Sequence, residues 1–305
     1  MPAAHFANLL ATSSDGDTVA EYVSDAGMVC RSLTHHGEEL LDPGKGLDAY
    51  AQRGATMGIP LLYPWANRLH AAGYQVAGQT VKLPADRTVI PVDPNGLPIH
   101  GVIPGRMRWR PQERVDETSV TARLEWTSGD LLEVFPFPHE LRIQATATNG
   151  ALTIVTTVRA AADDPVPISF GYHPYLRLPA SNRDSWHIEM PPAEHLVLDG
   201  QQIPTGARAP VKHRTFDLAG TSWDDAFAIQ AQPARFTVST PGRGIAVDFL
   251  EGYRYAQIYA PPDHDFVCFE PMTAPTNALV SGDGLTVLSP GEQYRAVFRI
   301  VAWHD

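Results

Sequence analysis

Two runs of alternating apolar and polar residues, joined by Asn149-Gly150, constrain the fold of this chain more than any other feature. In the first, Leu141, Ile143, Ala145 and Ala147 alternate with Arg142, Gln144, Thr146 and Thr148. In the second, Leu152, Ile154, Thr156 and Val158 alternate with Thr153, Val155, Thr157 and Arg159. Strand side chains point alternately to opposite faces, so this period of two predicts strands with one buried face. Asn-Gly between two such runs predicts a hairpin. The pattern recurs at 120–126, 236–238, 254–259 and 294–303. No long window carries an uninterrupted helical apolar stripe, so helix is expected only as short turns near 48–53 and 129–134.

Many short strands need many turns. Glycine and proline supply about a sixth of the 305 residues, against roughly 12% in an average protein. An all-β fold follows, a large antiparallel sandwich or barrel. No repeat, low-complexity block or linker divides residues 1–305, which read as one domain, with 190–192 and 200–210 as surface loops. The net charge of −11 lacks the basic excess of a nucleic-acid-binding protein. No stretch approaches the ~18 apolar residues of a membrane helix, and the N-terminus has no signal-peptide pattern. The expectation is a cytoplasmic protein with no nucleic-acid or membrane partner, its oligomeric state open between monomer and homodimer. Cys30 and Cys268 sit in apolar strings and read as small buried hydrophobes, a disulfide being the less favoured alternative. His35-His36 is the sole adjacent histidine pair, and neighbours on a strand diverge, so no metal site is expected.

Against this background a few ionisable residues stand out. His173 lies in Phe170-Gly171-Tyr172-His173-Pro174-Tyr175, and Glu270 between Phe269 and Pro271. A partly desolvated His–Glu pair is a general acid and base with tunable pKa values, provided the fold unites them. Asn67-Arg68 ends the apolar run that starts at Gly58. Its arginine cannot discharge and needs an acceptor, either a carboxylate at a sheet edge or a ligand's hydroxyl or phosphate. His100 precedes Gly101 after a turn-rich segment and could approach a ligand closely, or be structural. Asp224 and Asp225 lie between aromatics, as turn residues or as acceptors for a polyol. Trp65, Trp223 and Tyr175 in the same segments suggest aromatic faces for a neutral sugar.

Taken in order, these segments resemble the aldose 1-epimerase (galactose mutarotase) family: the run ending Asn67-Arg68, His100-Gly101, Gly171-Tyr172-His173-Pro174-Tyr175, Asp224-Asp225-Ala226-Phe227, Gln257-Ile258-Tyr259 and Phe269-Glu270-Pro271. Gly37-Glu38-Glu39-Leu40-Leu41 resembles the family's early Gly-x-Glu-Leu turn, so the likeness spans nearly the whole chain. It implies a large antiparallel β-sandwich of the galactose mutarotase-like type, with the site on a concave sheet face. It also implies His173 as general acid and Glu270 as general base, with Asn67, Arg68, His100, Tyr175, Asp224 and Gln257 lining a sugar site, and neither metal nor cofactor. The implied reaction interconverts the anomers of an aldohexose, with Glu270 ionised and His173 protonated in the active form. A related branch acts on hexose 6-phosphates; Arg106, Arg108 and Arg110, alternating on one strand face, could suit a phosphate or simply be solvated. A non-catalytic carbohydrate-binding protein on the same scaffold is the third alternative.

Overall fold

The computed structural model describes residues 7–113, 116–211 and 214–304. Its strands form a nine-stranded sheet, an eight-stranded sheet, a four-stranded sheet and two short hairpins or ladders. Every pairing between named strands is antiparallel. Among the described residues helix is confined to Leu47–Arg53, Gly129–Val134 and Ala278–Ser281, with two 3-10 turns. The all-β expectation, including the first two helical turns, therefore holds. Among the described residues no helix is long and apolar enough to cross a membrane.

The predicted hairpin lies inside the largest sheet, flanked by paired strands on both sides. His139–Thr148 pairs with Ala151–Ala160 so that Leu141 faces Val158, Ala145 faces Ile154 and Ala147 faces Leu152. All six are buried, while Arg142, Gln144, Thr153 and Thr157 stay partly exposed. Gly150 takes φ +67° at the turn, a conformation open to glycine at little cost.

The second sheet runs Pro204–Pro210, Ala193–Leu198, Trp223–Ile229, Tyr255–Ala260, Val267–Met272, Gly171–Tyr172, Leu61–Leu62, with Tyr175–Leu176 also paired to Val267–Met272. Alternation decides its two faces. Phe227, Ile258 and Phe269 enter the main core, where Phe269 stacks 5.5 Å from Phe236 of the largest sheet. Asp224, Gln257, Tyr259 and Glu270 consequently point to the other face.

Four local expectations are corrected. The 200–210 stretch is not all loop: Pro204–Pro210 is an edge strand, and an edge needs only one row of hydrogen bonds, which its prolines tolerate. Residues 190–192 do connect strands, but Met190 and Pro191 are buried rather than superficial. Arg106 to Arg110 do not share a strand, because Pro104–Arg106 makes a 3-10 turn and only Arg110–Pro111 pairs. Burial still alternates there, with Met107 and Trp109 inside and Arg108 and Arg110 exposed, so the solvated reading of these arginines stands. His35 and His36 do not diverge either. His36 leaves the strand at φ +49°, the two rings lie 4.1 Å apart, and His304 comes within 4.9 Å of His36. Among the described residues no group of three His, Cys, Asp or Glu is arranged to hold a metal ion. Cys30 and Cys268 are both buried and free.

Candidate active site

The strand register brings the polar residues into rows. Gln257 sits directly between Ala226 and Glu270, and Asp224 faces Tyr259, which faces Cys268, which faces Tyr175. A one-residue slip in any of these pairs would turn a whole row into the core. Farther along this face Ala226 and Ala228 are covered by Leu196, with Leu198 and Tyr255 packed beside them. The cleft itself has a volume of about 320 Å3, and His173, Glu270, Asn67, Arg68, His100, Tyr175 and Asp224 all border it. Gln257 lies behind them, almost fully buried, and donates from Nε2 to Asp224 Oδ1 at 2.6 Å. The eight residues singled out in the sequence are thus brought to one place.

His173 and Glu270 meet at the bottom. His173 Nε2 lies 3.2 Å from Glu270 Oε1, and their side chains are 7% and 2% exposed. Gly171 lets the segment before His173 approach so closely, since a Cβ there would fall 2.7 Å from the Pro271 carbonyl oxygen. The His173 ring stacks on Tyr175 at 4.4 Å, and Tyr175 Oη lies 2.5 Å from Thr56 Oγ1. Burial raises the Glu270 pKa well above the usual carboxylate range, with Asp224 adding to the effect and Arg68 opposing it. Burial pushes His173 down to about 3, and Arg68 contributes in the same direction. Burial thus disfavours charge on both groups and pulls the pair toward a neutral imidazole beside a protonated carboxyl, away from the charged form expected for catalysis. Both forms carry the same number of protons; only the position of one differs. Glu270 Oε2 and His173 Nδ1 are buried with no hydrogen-bond partner among the described residues.

A second group of side chains comes from two zippered segments. His100 N–H donates to the Asn67 carbonyl, and Asn67 N–H donates to His100 Nδ1 at 3.2 Å. Because a backbone N–H can only donate, Nδ1 accepts and the His100 proton sits on Nε2. Burial, His173 and Arg68 all lower the His100 pKa, so this ring is a neutral donor. Asn67 and His100 both adopt left-handed backbone, φ +58° and +63°. Such residues persist only where surrounding structure holds them, and they concentrate at functional sites. Gly101 is required beside His100, since a Cβ would lie 2.0 Å from the Tyr63 carbonyl oxygen. Arg68 donates to Asp93 Oδ2 at 2.9 Å and to Asn67 Oδ1 at 3.0 Å, and its Nη2 is 3.8 Å from Asp224 Oδ2. Both sequence readings of Arg68 thus meet in one residue, a carboxylate-paired arginine at the edge of a cleft.

Two sequence expectations fail here. Trp65 is wholly buried and cannot line the cleft. Trp223 lies on the opposite face of its strand from Asp224 and stacks on Phe216 at 4.2 Å. Asp224 and Asp225 are strand residues rather than turn residues, so they diverge; Asp225 pairs with His195 at 2.8 Å on the far face. Sequence reading missed Thr56, Asp93 and Tyr259. Tyr259 was accessible in principle, two positions from Gln257 in an alternating run. Asp93 reads locally as a turn residue, and Thr56 carries no local signal.

The family model described as Aldose 1-epimerase matches residues 13–301. An uncharacterized protein of Escherichia coli K12, YihR, is 25% identical over 289 residues, covering 86% of this chain and 88% of its own. Mouse galactose mutarotase is 25% identical over 286 residues, covering 81% of this chain and 79% of its own. Among solved structures, a galactose mutarotase-like protein from Clostridium acetobutylicum superposes with TM-score 0.82 at 18% identity, covering 95% of this chain and 94% of that one. A protein from Synechocystis sp. PCC 6803 superposes with TM-score 0.80 at 21% identity, covering 99% and 97%. With a family match running almost end to end and the same fold in these neighbours, the chain belongs to the aldose 1-epimerase family.

Proposed function

We propose that this cleft interconverts the α and β anomers of a free aldohexose by acid–base catalysed ring opening and closure. The observation that carries this reading is the buried His173–Glu270 contact of 3.2 Å among groups suited to bind hydroxyls. With sugar bound, Glu270 takes the proton from the C1 hydroxyl while His173 protonates the ring oxygen. The C1–O5 bond breaks and the C1 carbonyl forms. Rotation about C1–C2 presents the other carbonyl face, and closure returns both protons. After ring opening His173 is neutral and Glu270 protonated, which is the form that burial favours. Each positioned proton donor or acceptor typically contributes ~10²–10⁴-fold. His100, donating from Nε2, stabilises charge developing on the ring oxygen, and Asn67, Arg68, Asp224 and Tyr175 hold the remaining hydroxyls.

Charge favours a neutral sugar over its 6-phosphate. Among the described residues Arg68 is the sole permanent cation bordering the cleft; Asp93 occupies one of its edges, and Asp224 and Glu270 lie nearby. A phosphate would meet one committed guanidinium and two carboxyl groups. Polarimetry on matched free and 6-phosphorylated hexoses, with calorimetric binding alongside, tests the proposal. Accelerated mutarotation of a free hexose is expected. Faster turnover of a 6-phosphate would assign the other branch, and binding without turnover would make the protein a carbohydrate-binding module.

A further inference from the structure

Arg68, which borders the cleft, is bonded to a carboxylate that does not, Asp93. Asp93 sits at the head of the turn-rich segment Asp93-Pro94-Asn95-Gly96-Leu97-Pro98. Its side chain is 2% exposed. Oδ1 accepts the backbone N–H groups of Asn95 and Leu97, both at 2.9 Å, and Oδ2 accepts Arg68 Nε at 2.9 Å. One carboxylate therefore closes its own loop with one oxygen and holds the guanidinium with the other.

An arginine offers five N–H donors in a rigid plane, so fixing Nε fixes the direction of the Nη edge. Here that edge points to Asn67 Oδ1 at 3.0 Å and toward Asp224 Oδ2 at 3.8 Å. The latter separation is too long for a hydrogen bond, so neither group is saturated by the other. Without the Nε anchor, Arg68 would be free to swing onto Asp224 and form a bidentate pair, the strong geometry for guanidinium and carboxylate. Both side chains would then be withdrawn from a ligand.

We infer that Asp93 is a positioning residue, which keeps Arg68 and Asp224 apart and available for sugar hydroxyls by anchoring Arg68 Nε. The inference rests on the sugar-site reading above, yet fails separately from it: wild-type mutarotation tests that reading, and only the Asp93 variants test this one.

Asp93→Asn isolates the effect, because the amide oxygen can still accept from Asn95 and Leu97 while its NH2 repels Arg68 Nε. The expected result is a KM raised about 5–10-fold with kcat changed far less, and a native circular dichroism spectrum. Losing the anionic partner also leaves Arg68 more positive toward Glu270, so the alkaline limb of kcat/KM should move to lower pH. In an Arg68→Gln background the same substitution should add less than about twofold, the signature of action through Arg68. Asp93→Ser, whose hydroxyl can also close the turn, provides a second variant with the same expected coupling. Additive losses in the Arg68→Gln background, or an unchanged KM and alkaline limb in folded Asp93→Asn, would overturn the inference. So would loss of the native spectrum in both variants, since Asp93 would then be a folding residue.

Discussion

The cleft over His173 and Glu270, about 320 Å3, and a second cleft of about 370 Å3 beside Arg106, Arg108 and Arg110 are alike in size, and both contain arginine. Their arginines are held very differently. Arg68 is 14% exposed, bonded on one edge and aimed on the other. The Arg108 and Arg110 side chains are exposed and have no hydrogen-bond or ion-pair partner among the described residues, while Arg106 caps the Thr88 carbonyl at 2.8 Å and faces Asp130 at 3.8 Å. The first cleft contains buried titratable groups displaced from their ordinary pKa values. Volume is a property of surface shape. Chemistry needs groups whose water has already been removed and whose geometry is fixed before the ligand arrives.

That contrast breaks most sharply at the acid–base pair. Glu270→Gln and His173→Asn should each cut mutarotation by on the order of 10²-fold or more while sugar binding survives, since proton transfer is lost and shape kept. Stopped-flow polarimetry with parallel calorimetry measures both; turnover within a few-fold of wild type in Glu270→Gln would remove the distinction between the two clefts.

A smaller effect is expected one layer out. Arg68→Ala and Asp224→Ala should raise KM and weaken equilibrium binding by about tenfold, each having lost a charge-assisted hydrogen bond to a hydroxyl. Unchanged binding in both would mean that these groups face the cleft without using it.

The pH profile sharpens the comparison further. The active pair holds one proton in total, so kcat/KM falls on the acid side when a second proton binds and on the alkaline side when the first is lost. Burial places the acid limb near the depressed His173 value of about 3 and moves the alkaline limb above the ordinary carboxylate range. Activity should therefore change little between about pH 5 and 6.5, where a solvated histidine would titrate. An acid limb centred near 6.5 would show that His173 behaves as a surface group.

The smallest effect is expected at the second cleft. Arg108→Ala and Arg110→Ala should leave kcat/KM within twofold and stability within ~0.5 kcal/mol, as for surface changes away from special features. Thermal unfolding and the same mutarotation assay suffice. A larger loss of activity would assign that cleft a role which its exposed side chains do not suggest.

Much of the architecture was legible because alternation is a local property. Period two in 141–148 and 152–159 announced the hairpin of the largest sheet, and the same rule at 254–259 announced the strand that carries Gln257. The order of short motifs along the chain pointed to the family and to the eight residues now found around one cleft. What no local pattern contains is partnership at a distance. Strand register aligned Asp224, Gln257 and Glu270; core packing buried Trp65 and turned Trp223 away from the site; and a turn aspartate 25 positions along the chain became the anchor of Arg68. The protonation of the His173–Glu270 pair belongs to the same category. A pKa depends on how much water the fold removes and which charges it leaves nearby, and both are set only when segments remote in sequence have packed together.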